Sequence, residues 1–73
     1  MATFSERLKE LRTENKLTQK LLAEKVEMGR RTIQCYEQES RRPTADAVIT
    51  LANYFGISTD YLLGLSNNPK RWE

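Results

Sequence analysis

The chain has 73 residues and a mass of 8.5 kDa, and 38% of its residues are hydrophobic while 30% are charged. These values are typical of one small domain with a modest core. With no apolar run long enough to span a membrane and no signal-peptide pattern, we expect a cytoplasmic protein. One cysteine and no histidine exclude an intramolecular disulfide, a Cys/His metal site and histidine-based catalysis, so we predict no metal, no cofactor and no enzyme activity.

Charge is polarised along the chain, although the net charge is only +2. Residues 16–42 contain seven basic and four acidic side chains, a balance of +3. Residues 44–68 contain two acidic side chains and no basic one, a balance of −2. The basic segment favours a polyanion as the partner.

Apolar residues at helical spacing predict a first helix over about 4–14 and a second over about 19–26. A capping-box pattern begins at Thr3, and Thr18 is placed to cap the second helix. Asn15 suits the left-handed conformation that often ends a helix.

A third helix is predicted over about 30–38, with Ile33 and Tyr36 facing inward. Advancing 100° per residue from Ile33 defines an outer face that bears donors but no carboxylate. This outer face consists of Arg31, Gln34, Cys35 and Gln38, flanked by Arg30 and Thr32.

A fourth helix is predicted to follow Thr44 and to end at Gly56, and a short fifth helix to follow Ser58. No alternating apolar run predicts a strand. The fold class is therefore all-α, a compact bundle of five short helices. We expect one domain at 1–65 and a short frayed tail at 66–73.

The pattern QKLLAEKVEMGRRTIQCYE begins at Gln19, with Ala23 where two helices would touch and apolar residues at core positions. It resembles the helix-turn-helix of the Xre family, the phage Cro and repressor type. The similarity continues through FGISTDYLLG at 55–64 and covers about 4–65. It implies a lambda-repressor-like DNA-binding bundle with its helix-turn-helix at about 19–38.

Two positions depart from the family pattern, which usually has glycine in the turn and after the third helix. Here the turn has Glu27, and the third helix is followed by Glu39 and Ser40. A non-glycine residue in the left-handed conformation costs about 1–2 kcal/mol. These departures bear on the tilt of the third helix.

The resemblance implies that the third helix enters the major groove of double-stranded DNA and reads base edges. Arg31 points most directly outward, although a solvated surface arginine is the alternative, and Arg30 on the flank could reach a base or a phosphate. Cys35 could contact a thymine methyl or have no role in binding. The predicted base contacts are Arg30, Arg31, Gln34 and Cys35.

Phosphate contacts are expected at the start of the second helix and after the third. Gln19 matches a family position that holds a phosphate. The full predicted set is Gln19, Lys20, Thr32, Arg41 and Arg42. By the same resemblance, Arg12 and Glu37 are expected to form a structural ion pair.

The family's arrangement implies a homodimer on an inverted-repeat operator. More apolar side chains lie on the fifth helix and the adjacent end of the fourth than a short bundle can bury. The predicted dimer interface is Tyr54, Ile57, Tyr61, Leu63 and Leu65. Trp72 either joins that interface or belongs to the tail.

The sequence thus predicts a sequence-specific regulator of the phage or prophage type, a repressor that binds DNA as a homodimer. An antitoxin-type regulator with a second protein partner and a helical interaction module without DNA activity are the alternatives. An enzyme is disfavoured, because the chain lacks histidine, a paired-carboxylate motif and a glycine-rich phosphate loop. The operator, the inducing signal and the choice between repression and activation stay open.

Overall fold

The computed structural model describes residues 2–70, which form five α-helices and no strand. The all-α prediction is therefore confirmed, and the first three helices have the predicted bounds to within one residue. In chain order the helices are α1 (Phe4–Glu14), α2 (Gln19–Lys25), α3 (Arg30–Glu37), α4 (Ala45–Phe55) and α5 (Thr59–Leu62).

Side-chain hydroxyls cap the N-termini of four helices. At α1 the Glu6 N–H donates to Thr3 Oγ1 over 3.2 Å, and the Thr3 N–H donates to Glu6 Oε1 over 2.9 Å. This reciprocal pair satisfies two N–H groups that would otherwise lack partners. Single hydroxyl caps begin three further helices, at Thr18, Thr44 and Ser58. The exception is α3, which starts at Gly29 without a side-chain cap.

All five helices end in the same turn, hereafter the αL turn. One residue takes a positive φ, and the N–H of the next residue donates to the carbonyl five positions earlier, as in a Schellman motif. The positive-φ residues are Lys16, Glu27, Glu39, Gly56 and Gly64. The bonds run from Leu17, Met28, Ser40, Ile57 and Leu65 to Arg12, Ala23, Cys35, Ala52 and Asp60, over 2.8–3.1 Å.

The prediction that Asn15 takes the left-handed conformation is wrong by one residue. Asn15 has φ −90°, and Lys16 has φ 57°. The position of the turn is set by Leu17, because its half-buried side chain packs against the core just after the turn. An apolar residue in this position is the usual companion of the motif.

Each helix contributes one side chain with 0% exposure to a single core: Leu8, Leu22, Ile33, Leu51 and Leu62. Helix α3 packs against α1 and α2, and α5 packs against α1 and α4. The predicted core aromatics are confirmed: Tyr36 is buried, while Phe4 and Phe55 pack against the core. The rings of Phe4 and Tyr36 meet edge to face with centroids 5.6 Å apart.

The segment 66–70 is held against the helices, so the expectation of a frayed tail is wrong for these residues. The Ser58 N–H donates to the Pro69 carbonyl over 3.0 Å, and Arg7 Nη2 donates to Asn67 Oδ1 over 3.0 Å. The domain boundary at 65 stays a prediction, and Trp72 lies outside the described residues. None of the helices within 2–70 has the length and hydrophobicity needed to cross a membrane.

Candidate nucleic-acid interface

Helix α3 buries one face and presents the other to solvent. Ile33 and Tyr36 are buried, as the helical spacing predicts. Arg30, Arg31 and Gln38 are exposed, and the Thr32, Gln34 and Cys35 side chains are half-buried. The predicted base-contacting side chains therefore all lie on α3 and are all at least partly accessible to solvent.

The first turn of α3 combines two arginines with no acidic residue. Because the N-terminus is the positive end of the helix dipole, each cation there is unfavourable by about 0.3–1 kcal/mol. The only carboxylate on α3 is Glu37, which forms an ion pair with Arg12 of α1. The outer face of α3 therefore offers donors and no negative charge, which suits an anionic partner.

Glu37 forms the one ion pair found within residues 2–70. Its Oε2 accepts from Arg12 Nε over 2.6 Å and its Oε1 from Arg12 Nη2 over 3.0 Å, with side-chain exposures of 5% and 13% for Glu37 and Arg12. Arg12 Nη1 also donates to the Leu17 carbonyl over 2.8 Å. The pair therefore fixes α3 to α1 and to the turn that precedes α2, and this geometry is that of the predicted structural ion pair.

Gln19 also belongs to this network, and its contact with Glu37 was not predicted from the sequence. Its Nε2 donates to Glu37 Oε1 over 3.2 Å. An amide nitrogen carries two hydrogens, so one remains for a further acceptor. Nothing in the order of the residues brings Gln19 to Glu37, because 18 positions separate them along the chain.

An open recess of about 520 Å³ lies where α1, α2 and α3 meet. The structure brings together there two predicted phosphate contacts, Gln19 and Lys20, and one predicted base contact, Arg30. Arg12 and Thr18 complete its lining. The recess therefore places three cationic side chains beside one another, from three different helices.

Arg41 and Arg42 line a second recess of about 310 Å³ between the start of α1 and the loop after α3. Both arginines are exposed. Glu39 lines the same recess, so the recess carries both positive and negative charge. Thr32 is half-buried on α3 and does not line either recess.

Four of the five side chains predicted for a dimer interface are at least partly exposed. Tyr54, Leu63 and Leu65 are exposed, with 68% of Leu65 accessible, and Tyr61 is half-buried. Ile57, in contrast, is only 8% exposed and belongs to the core of its own chain, so its assignment to an exposed interface is wrong. The αL turn at Gly56 directs Ile57 inward, a role that the sequence Phe-Gly-Ile could have indicated.

Leu65 occupies the position after an αL turn, which is filled by an inward-packing side chain in three other helices. Leu17 and Met28 pack against the core and Ile57 lies within it, whereas Leu65 is largely exposed. Sequence reasoning also missed two exposed apolar side chains, Leu21 on α2 and Ile49 on α4, with 44% and 49% accessible. Residues 2–70 contain no group of three or more His, Cys, Asp or Glu side chains arranged to hold a metal ion.

Residues 5–67 match a family model described as a helix-turn-helix domain. Two relatives from Bacillus subtilis are similar to most of this chain. The HTH-type transcriptional regulator YobD, itself described as uncharacterized, is 39% identical over 66 residues, which are 90% of this chain and 59% of YobD. The HTH-type transcriptional regulator ImmR is 39% identical over 71 residues, 97% of this chain and 56% of ImmR.

A similar fold occurs in the P22 c2 repressor, whose structure was determined in complex with a synthetic operator. The TM-score is 0.82 at 24% sequence identity, and the match covers 90% of this chain and 100% of that one. The predicted lambda-repressor-like architecture is therefore confirmed. The chain spans less than 60% of the length of the two curated relatives described here.

Proposed function

We propose that this chain, which belongs to the helix-turn-helix domain family, binds double-stranded DNA sequence-specifically and represses transcription as a homodimer. The outer face of α3 carries this proposal, because it presents arginine and amide donors without a carboxylate. Family membership agrees with the prediction that the domain is not an enzyme. The names of the relatives, HTH-type transcriptional regulators, support the regulatory role.

In this proposal α3 enters the major groove with its N-terminal end first. Arg31 is the main base contact, since a guanidinium bonds guanine O6 and N7 in a bidentate manner and contributes about 1–3 kcal/mol of discrimination. Gln34, one turn further along, is suited to a bidentate contact with adenine. The half-buried Cys35 offers at most a contact to a thymine methyl.

The recess at the junction of the first three helices is the proposed phosphate site. Lys20 and Arg30 supply charge there, and Gln19 supplies the amide hydrogen that Glu37 leaves free. Arg30 is therefore assigned to a phosphate in preference to a base. Exposed Arg41 and Arg42 contact the backbone on the other side of α3, and Thr32 is a weaker phosphate contact on its flank.

A second copy of the chain is the proposed occupant of the surface formed by Tyr54, Tyr61, Leu63 and Leu65, hereafter the dimer surface. Residues 44–68 contain only two charged side chains, so this surface can be desolvated without stranding many charges. One module contacts few base pairs, and a two-fold dimer doubles the contacts on an inverted repeat.

Selection of randomised duplex DNA by the purified protein tests the proposal, followed by titration of the enriched pool at several salt concentrations. We expect an inverted repeat with half-sites about one helical turn apart and an affinity that falls steeply with salt. Enrichment of a single half-site would overturn the proposed homodimer but would still support sequence-specific DNA binding. Failure to enrich any sequence over non-specific binding would overturn sequence-specific recognition.

A further inference from the structure

Apart from the Arg12–Glu37 pair, Arg7 is the one charged residue in the described chain that is buried, with 7% of its surface exposed. It lies on α1, and its guanidinium carbon sits 3.8 Å from the centroid of the Tyr61 ring on α5. Its Nη2 donates to Asn67 Oδ1 over 3.0 Å. One side chain of α1 therefore contacts both α5 and the segment that follows it.

No carboxylate within residues 2–70 forms an ion pair with this buried cation. Within residues 2–70 the single ion pair joins Arg12 and Glu37. The charge of Arg7 is balanced by the face of an aromatic ring and by an amide dipole, both of which are neutral partners. A planar guanidinium that stacks on a ring and bonds to an amide fits only one orientation of its partners, so these contacts fix how α5 and the following segment lie against α1.

The contacts of Arg7 close a ring around the end of the domain. Tyr61 donates its N–H to Ser58 Oγ over 3.0 Å, and the Ser58 N–H donates to the Pro69 carbonyl over 3.0 Å. Asn67, two residues before Pro69, accepts the hydrogen bond from Arg7 and so completes this series of contacts. Segment 66–70 is therefore fixed at Asn67 by α1 and at Pro69 by the cap of α5.

We propose that Arg7 is a positioning residue that orients α5 and segment 66–70 for dimer formation, an inference that rests on the proposed homodimer. Its two contacts, Tyr61 and Asn67, lie on either side of Leu65 in the chain. Leu65 is the most exposed large apolar side chain in the described structure, and Tyr61 is itself part of the dimer surface. Arg7 thereby holds a residue on either side of Leu65, the most exposed side chain of the dimer surface.

Two variants test the inference, one at a buried residue and one at an exposed residue whose substitution is less disruptive to folding. Arg7→Met removes the charge, the ring contact and the bond to Asn67, whereas Asn67→Ala removes only the bond and changes an exposed residue. Three quantities are measured: the melting temperature, the hydrogen-exchange rate of the Ser58 amide, and the dimer dissociation constant by sedimentation equilibrium. Arg7→Lys keeps the charge but loses the planar stack, and serves as the conservative comparison.

We expect both variants to stay folded, with Ser58 exchanging at least about tenfold faster and the dimer dissociation constant raised about tenfold in Arg7→Met and less in Asn67→Ala. Arg7→Lys should resemble Arg7→Met. Asn67→Asp, which places a carboxylate opposite Arg7, should slow Ser58 exchange and tighten the dimer.

Unchanged exchange at Ser58 in folded Arg7→Met would overturn the inference. So would faster exchange with an unchanged dissociation constant, because the dimer surface would then not depend on Arg7. If the unmodified protein is monomeric at all concentrations, the homodimer proposal fails and the orienting role for dimer formation fails with it. Faster Ser58 exchange would still support the anchoring of segment 66–70 by Arg7.

Discussion

The two halves of the domain use the same αL turn with different chemistry. In the turns after α1, α2 and α3 the left-handed residue is charged, whereas after α4 and α5 it is glycine. The charged residues are Lys16, Glu27 and Glu39, and the glycines are Gly56 and Gly64. The first half carries nearly all the cationic side chains and a buried ion pair, and the second half is almost uncharged and exposes apolar side chains. The turn therefore does not require glycine, and the proposed DNA contacts and the proposed dimer contacts lie on separate halves.

The largest expected effect comes from breaking the ion pair that only the first half contains. Glu37→Leu leaves the Arg12 guanidinium largely buried without its partner and also removes the acceptor for Gln19. We expect a loss of about 3–5 kcal/mol in the free energy of unfolding, measured by chemical denaturation.

The double variant Arg12→Met with Glu37→Leu is the control, because it removes both charges and keeps the volume apolar. It should recover to within about 1–2 kcal/mol of the unmodified protein. A loss below about 1 kcal/mol for Glu37→Leu alone would show that solvent compensates Arg12, and that the first half does not depend on a buried charge.

The two glycines of the second half predict unequal effects of the same substitution. A Cβ on Gly64 would lie 2.0 Å from the Ala2 carbonyl oxygen, whereas a Cβ on Gly56 would meet no atom within 4 Å. Gly64→Ala adds displacement of the backbone at residue 2 to the cost of a positive φ, so we expect a loss of about 2–4 kcal/mol. Gly56→Ala should lose about 1–2 kcal/mol. Equal losses in thermal unfolding would contradict the close approach of Ala2.

Substitution of two arginines distinguishes base from phosphate contacts in the first half. Arg31→Ala should reduce base preference at one position of each half-site by about 1–3 kcal/mol. Arg42→Ala should weaken all sequences about equally and make the salt slope shallower by about one. Binding to a panel of single-base operator variants at several salt concentrations measures both. An unchanged base preference in Arg31→Ala would remove that residue from the reading face.

The smallest expected effect is a gain in stability at the end of α2. Glu27 is exposed and has φ 57°, so Glu27→Gly should relieve the backbone and stabilise the fold by about 0.5–1 kcal/mol after the entropy of glycine is deducted. Glu24→Gly, also exposed but inside α2, removes the same charge and should destabilise by about 1 kcal/mol. Thermal unfolding compares the two variants. A loss of stability in both would show that glycine entropy outweighs the strain at position 27.

The sequence predicted elements that depend on neighbouring residues. Capping hydroxyls at Thr3, Thr18 and Thr44 and apolar residues at helical spacing predicted the bounds of the first four helices to within about one residue, whereas the fifth ends at Leu62, earlier than its apolar residues suggest. Ile57 shows the limit of counting apolar residues, because the same composition suits a core and an interface, and the turn geometry at Gly56 decides between them.

Contacts between distant segments could not be predicted from the sequence. Arg7 is separated from Asn67 by 60 positions, and Gln19 from Glu37 by 18. Helical spacing places Arg7 beside Phe4 and Leu11 on α1, but it does not specify that Tyr61 and Asn67 are the residues that cover it. The position of Arg30 beside Lys20 likewise follows from how α2 and α3 pack, which local patterns do not specify.

The close approach of Ala2 to Gly64 has a practical consequence for any recombinant form of the protein. The backbone at residue 2 lies directly against the end of α5, one residue from Leu65. An affinity tag on the N-terminal side of Ala2 would therefore add bulk close to the proposed contact between copies and would compete with self-association. Oligomerisation assays should use protein from which such a tag has been cleaved.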